Sequence, residues 1–130
     1  MTDPFASVMA TILVLDDDPN IRELLREILT RVGHEVVLDG DGRHALTLVE
    51  AHQVDLLITD ILMPNRDGIE TITALRASHP GLRVIAMTGG SAHMQLYLSI
   101  AAKCGAVATL QKPFPPKTLV ETVAAALHTD

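Results

Sequence analysis

One alternation runs the length of the chain: a short unbroken apolar run, a few polar residues, then a longer stretch with apolar positions three and four apart. The clearest runs are Thr11-Ile12-Leu13-Val14-Leu15, Asp55-Leu56-Leu57-Ile58-Thr59-Asp60, Arg83-Val84-Ile85-Ala86-Met87 and Val107-Ala108-Thr109-Leu110. Glu35-Val36-Val37-Leu38 is a shorter fifth. Runs of this length between turn formers predict strands rather than helices. Their continuous hydrophobicity suits strands covered on both faces, as in a parallel sheet. After the first run, Ile21, Leu24, Leu25, Ile28 and Leu29 form one helical stripe. Asp18-Pro19 reads as the N-cap and first residue of that helix and Gly33 as its stop. A second helix points Ala45, Leu46, Leu48 and Val49 inward and ends near His52. Asp67 and Glu70 open a third, a capping-box variant, which continues through Ile69, Ile72 and Leu75 to His79-Pro80-Gly81. A fourth runs from about Ser91 to Lys103 with Gly105 as its stop, and a last from about Pro116 to Leu127. Strand and helix thus alternate five times with short connections. That pattern predicts an α/β fold around a parallel sheet.

Composition narrows the class. A length of 130 residues suits one domain, here 11–128 behind a loose N-terminal arm of residues 1–10. Nearly half the residues are apolar but only two Phe and one Tyr occur, so the core must be aliphatic. Formal net charge is −6, and ten Lys plus Arg are scattered without a basic run. This argues against nucleic-acid binding by the chain itself. The single Cys104 excludes an internal disulfide and fits a reducing compartment. Met1 to Ala10 holds Asp3 and Pro4 and no basic segment, unlike a signal peptide. No apolar run approaches the roughly 20 residues that span a bilayer. The expectation is a cytoplasmic domain with no membrane contact.

The candidate chemistry sits at the C-terminal ends of the strands: Asp16 and Asp17, Asp60, Thr88 and Lys112. In open α/β sheets ligands bind along that edge. Three carboxylates brought together are costly without a cation. Hard oxygen donors with room for waters suggest Mg²⁺. A carboxylate can attack phosphorus and form an acyl phosphate, and phosphoryl transfer asks the protein mainly for position and positive charge. Asp60 as nucleophile, with Thr88 and Lys112 as partners of the phosphoryl oxygens, meets that need. Taken singly, Thr88 is an ordinary turn residue, Lys112 a surface lysine and Asp18 a helix cap. The signal lies in the set. The six histidines show no metal-ligand spacing. Asp39-Gly40-Asp41-Gly42 hints at a calcium loop, but Arg43 and His44 stand where an acid and a glycine are needed, so it reads as a turn.

Val14-Leu15-Asp16-Asp17-Asp18, Thr59-Asp60-Ile61-Leu62-Met63-Pro64 with Asp67-Gly68, Met87-Thr88-Gly89 and Gln111-Lys112-Pro113-Phe114 together resemble the response-regulator receiver domain. The resemblance spans about Thr11 to Leu127. It implies a doubly wound, flavodoxin-like (βα)5 fold with strand order 2-1-3-4-5. It implies phosphorylation of Asp60 from the phosphohistidine of a histidine kinase or phosphotransfer protein. Mg²⁺ would be bound by Asp17, Asp60 and the backbone carbonyl of Leu62, with Asp16 acting through water. Thr88 and Lys112 would contact the phosphoryl group, and Lys112-Pro113 would be cis. Such a domain is a switch that catalyses only its own phosphorylation and dephosphorylation. Its output is a protein surface running from the fourth helix to the fifth, read by a downstream protein or an attached output domain.

Two departures matter. Family members usually carry Tyr or Phe three residues before the lysine, whereas this chain has Thr109. Leu62 and Gly90, two residues after Asp60 and Thr88, offer no side chain to orient an attacking water. Dephosphorylation is therefore expected to proceed without help from those two positions. The fourth helix has apolar residues nearly all round it (Met94, Leu96, Tyr97, Leu98, Ile100, Ala101, Ala102), which fits either a partner or homodimer contact or ordinary packing. The competing function is a haloacid-dehalogenase-type phosphatase with Asp16 as nucleophile. It leaves Asp60 unexplained and lacks a late acidic pair, since Asp130 is the only Asp after Asp67.

Overall fold

The computed structural model describes residues 9–61, 68–89 and 94–128, the side chains of Met94 and Tyr97 excepted. Its strands are β1 (Thr11–Leu15), β2 (Glu35–Asp39), β3 (Leu56–Asp60), β4 (Arg83–Thr88) and β5 (Ala108–Gln111). Its helices are α1 (Pro19–Arg31), α2 (Ala45–His52), α3 (Gly68–Ser78), α4 (Met94–Cys104) and α5 (Pro116–Leu127), with a single 3-10 turn at Gly42–His44. All strand pairs are parallel and the order is β2-β1-β3-β4-β5. The parallel sheet is the one the alternation predicts, and its strand order is the one the resemblance implies.

Successive strand side chains point to opposite faces, and both faces here are covered. Ile12, Val14, Leu56, Ile58, Ile85, Met87 and Leu110 pack with Leu25 and Leu29 of α1 and Leu119 and Val123 of α5. Leu13, Leu15, Leu57, Val84 and Ala86 pack with Ala45 and Val49 of α2, Ile72 and Leu75 of α3, and Ala101 of α4. Two-sided burial is why the strands read as unbroken apolar runs rather than as alternating ones. Each fully buried Leu or Ile contributes roughly 1.5–3 kcal/mol of transfer free energy. Among the described residues the buried core is aliphatic, with the partly buried Phe114 packed against it.

Helix ends follow the residues that flank them. The Asp18 side chain accepts from the Asn20 N–H (2.9 Å), with Pro19 at the first helical position. At the far end Gly33 takes φ +101°, a region a β-carbon disfavours. This lets its N–H reach the Thr30 carbonyl and the His34 N–H the Leu29 carbonyl. Gly105, at φ +113°, closes α4 in the same way.

Five local expectations need correction, the first being Leu24, which is placed on the apolar stripe of α1 but is 48% exposed. Leu46 points outward and is 47% exposed, because the eight-residue α2 turns Ala45 and Val49, one turn apart, to the core. Asp39 extends β2 by one residue, since Leu15 pairs with it. Thr88 is a strand residue, opposite Gln111 in the ladder, rather than a loop residue. Val107 precedes β5 and is exposed. The Asp67 cap, the Leu62 and Gly90 positions and the start of the fourth helix at Ser91 lie outside the described residues. Among the described residues no helix is long and apolar enough to cross a membrane.

Candidate functional site

The chain leaves β1 for β2 on one side of the sheet and returns for β3 on the other, so β1 and β3 are neighbours whose outgoing connections diverge. A crevice opens between their C-terminal ends. Asp16 and Asp17 follow β1 directly, and Asp60 is the last residue of β3. One carboxylate oxygen from each of these three residues lies within 4.8 Å of the other two. Asp16 is wholly buried, Asp60 is 8% exposed and Asp17 is open to solvent.

Lys112 enters from the end of β5, across the top of β4. Its backbone N–H donates to the Thr88 carbonyl (2.7 Å), which fixes where the side chain starts. Its ammonium donates to Asp16 Oδ2 (2.5 Å) and Asp60 Oδ2 (2.9 Å). The Lys112-Pro113 bond is cis.

Asp16 is held at every polar atom. Its N–H donates to the Asp39 carbonyl (3.2 Å) and its carbonyl accepts from Arg22 Nη1 (2.8 Å). Its Oδ1 accepts from the Asp18 N–H (2.9 Å), and its Oδ2 takes the lysine. Burial pushes its carboxyl above the usual carboxylate range, and the hydrogen bonds from Lys112 and Asp18 only partly offset this. Burial pulls Lys112 down, but its hydrogen bonds to Asp16 and Asp60 and their charges outweigh that, so it is raised overall. The lysine is therefore a fixed cation at neutral pH.

Thr88 is fully buried, and its hydroxyl donates to the Gly89 carbonyl (3.1 Å). Contact with a phosphoryl oxygen would require that bond to be given up. Asp18 caps α1 and contributes its N–H, not its carboxylate, to the pocket. Leu62, the source of the expected carbonyl donor, lies outside the described residues. Thr109 is exposed on β5, paired with Ala86 in the register. Asp16, Asp17, Asp60 and Lys112 are thus brought together, while Thr88 lies beside them with its hydroxyl engaged elsewhere.

Sequence reasoning missed Arg22 and Gly40. Arg22 reads as one more charge on the polar side of α1, and Gly40 as a turn former. A signal was present, since Arg22 stands one turn beyond the Asp18 cap and faces back toward the loop that precedes it.

The donor set fits a hard divalent cation: three carboxylates at one locus, one of them solvent-facing. The arrangement suits transfer of a phosphoryl group to a carboxylate better than hydrolysis at Asp16. Asp16 is fully buried with both oxygens engaged, whereas Asp60 retains some exposure.

Comparison with known proteins agrees with this geometry. The family described as response regulator receiver domain matches residues 12–124. The DNA-binding transcriptional regulator NtrC of Azospirillum brasilense is 42% identical over 122 residues, covering 93% of this chain and 25% of that protein. The DNA-binding response regulator MtrA of Mycolicibacterium smegmatis is 36% identical over 117 residues, covering 90% of this chain and 50% of that one. The chain therefore spans a quarter to a half of the length of these curated relatives. Among solved structures, the chemotaxis protein CheY4 of Vibrio cholerae superimposes with a TM-score of 0.83 at 30% identity, covering 92% of this chain and 99% of that one. NtrX of Brucella abortus gives 0.85 at 30% identity, covering 92% and 28%.

Proposed function

The chain belongs to the response regulator receiver domain family, and from that premise we propose that Asp60 takes the phosphoryl group, with Lys112, Asp16, Asp17 and Thr88 as its machinery. The domain is a phosphoacceptor switch of two-component signalling. Histidine kinases and phosphotransfer proteins are its class of donor, and it acts only on its own aspartate.

The observation that carries the assignment of roles is the Lys112 ammonium, which bridges Asp16 and Asp60 from the end of β5, two strands from β3 and three from β1 in the sheet. In the proposed reaction an Asp60 carboxylate oxygen attacks the phosphorus of the donor phosphohistidine. The P–O bond forms as the P–N bond breaks, and the imidazole leaves. Lys112 holds the carboxylate in place and offers positive charge to the incoming phosphoryl oxygens. Asp16 keeps Lys112 between the two acids. The Thr88 hydroxyl, once released from Gly89, is a donor for one phosphoryl oxygen. Asp17, Asp60, the Leu62 carbonyl and Asp16 through water would hold Mg²⁺, which when bound supplies the positive charge that lets phosphate approach three acids.

For output we propose the surface formed by α4, β5 and α5, read by a downstream protein, an attached domain or a second copy. Leu96, 57% exposed on α4, supports that choice. NtrC and MtrA are named as DNA-binding proteins. A longer protein containing this chain would carry any such activity in another part, since the chain itself has a net charge of −6.

Intact-mass detection of phosphorylation by acetyl phosphate, with and without Mg²⁺, tests the proposal. Wild type should gain one phosphoryl group only with the metal, and Asp60→Asn none. Labelling of Asp60→Asn at the wild-type rate would reject Asp60 as the acceptor.

A further inference from the structure

The connection between α1 and the acid pocket is made by Arg22, whose guanidinium reaches back over the first turn of its helix. Its Nη1 donates to the Asp16 carbonyl at 2.8 Å. That carbonyl belongs to the peptide joining Asp16 to Asp17. Holding it therefore fixes the rotation of the peptide plane from which the Asp17 side chain departs. The Asp16 side chain has two hydrogen-bonding partners of its own, whereas Asp17 is solvent-exposed. The placement of Asp17 thus depends most on this backbone anchor.

The guanidinium lies in a notch left by Gly40, just after β2. A β-carbon on Gly40 would stand 2.7 Å from Arg22 Nη1, 3.5 Å from its Cζ and 3.7 Å from the Asp16 carbonyl oxygen. Gly40 does not lie in the left-handed backbone region, so the reason for its small size is the room it leaves for Arg22. The same loop holds Asp16 from its other side, through the bond from the Asp16 N–H to the Asp39 carbonyl. One glycine-bearing loop and one arginine therefore clamp the peptide that carries the acid pair.

We propose that Arg22, seated in the space Gly40 leaves, is a positioning residue that fixes Asp16 and Asp17 for divalent-cation binding and hence for phosphoryl transfer to Asp60. The proposal rests on the phosphoacceptor reading above. Groups that orient metal ligands typically change affinity by about 10–100-fold when removed, so the effect should be visible in binding alone.

The test is calorimetric titration of the full chain with MgCl₂, for wild type, Arg22→Ala, Arg22→Lys, Gly40→Ala and the Arg22→Ala/Gly40→Ala double variant. Thermal unfolding in EDTA runs beside it. Arg22→Ala should bind Mg²⁺ about tenfold more weakly, and Gly40→Ala should shift affinity the same way by displacing the arginine. The double variant should be no weaker than Arg22→Ala alone, because both changes remove one interaction. Arg22→Lys, which keeps one donor and the charge, should recover part of the loss. Unfolding midpoints in EDTA should stay near wild type. Wild-type Mg²⁺ affinity in Arg22→Ala overturns the proposal, as do additive losses in the double variant. A wild type that binds Mg²⁺ but takes no phosphoryl group from acetyl phosphate overturns the phosphoacceptor reading alone, leaving the titrations to decide on Arg22. A wild type that binds no Mg²⁺ overturns both.

Discussion

Lys112 pairs with two carboxylates at once, one of them wholly buried. Removing it leaves Asp16 charged in a dry site or forces it to take up a proton, and both are costly. Because the lysine is 19% exposed, Lys112→Met should destabilise by about 2 kcal/mol, below the roughly 3–5 kcal/mol seen for fully buried pairs. Urea unfolding checks this, and the loss should shrink when Mg²⁺ replaces EDTA, because a bound cation takes over part of the neutralisation. His34 presents the opposite case. Its Nδ1 accepts from the Ala10 N–H (3.1 Å) and it is 8% exposed, so burial holds it below its usual value of 6.5. The unfolded chain therefore binds more protons as pH falls. His34 contributes its full stability above about 6.5 and loses it as pH falls through the depressed folded value. His34→Phe should be about 1 kcal/mol less stable near neutral pH, where the Ala10 N–H loses its acceptor, and should unfold with a flatter acid limb. A third single-residue expectation concerns Leu62, two residues after Asp60 in the sequence, where asparagine would supply an amide able to orient an attacking water. Leu62→Asn should lose phosphate faster than wild type in a timed mass assay, and an equal rate would show that the position does not limit hydrolysis.

Among the elements, α3 sits unusually close to the strand it follows. The Gly68 N–H donates to the Ile61 carbonyl (2.7 Å), and a β-carbon at Gly68 would run into the Asp60 carbonyl and stand 2.7 Å from Ile61 Cα. Those obstacles are backbone atoms of the segment that carries Asp60, so they cannot step aside without moving the acceptor. Gly68→Ala should cost about 1–3 kcal/mol, as overpacking does, and should also slow labelling of Asp60. A stability loss with unchanged labelling would show that α3 can withdraw without disturbing β3. On the same face of the sheet α4 is anchored by the buried Ala101 against the layer of Val84 and Ala86, with Leu96 exposed. In the adjoining register position stands the exposed Thr109. Any movement passed from Thr88 to α4 must therefore travel without an aromatic ring at that position.

Over the whole molecule, a cation held by the three pocket acids would couple folding to its own binding. A ligand that binds only the folded state stabilises it by about 2.7 kcal/mol at a hundred times its dissociation constant. Thermal unfolding should therefore rise steadily with Mg²⁺ concentration in wild type and fall back on adding EDTA. Asp17→Asn should flatten that dependence while keeping its midpoint in EDTA close to wild type, because Asp17 is solvent-exposed. A metal-independent midpoint in wild type would mean that the acid cluster holds no cation in the folded state. The net charge of −6 bears on the same point, since most of the acids outside the pocket sit on exposed surfaces where salt screens them.

Much of this was legible in the residues. Two-sided burial leaves unbroken apolar runs, so the five strands and the layers around them could be read from hydrophobicity alone. Strand ends accumulate polar groups because the ladder stops there, which is why Asp16, Asp17, Asp60 and Lys112 were visible as a set. Boundaries were less legible, as at Thr88 and Leu46, because one residue in or out of an element depends on what packs beside it. Gly40 and Gly68 could not be weighed from sequence, and Arg22 only by its place one turn beyond the Asp18 cap. Their importance comes from approaches of about 3 Å between atoms of different elements and loops. Periodicity and strand-end chemistry are local properties that sequence carries directly. Which atoms meet across β1, β2 and β3 is set by the parallel register, and only the folded sheet decides it.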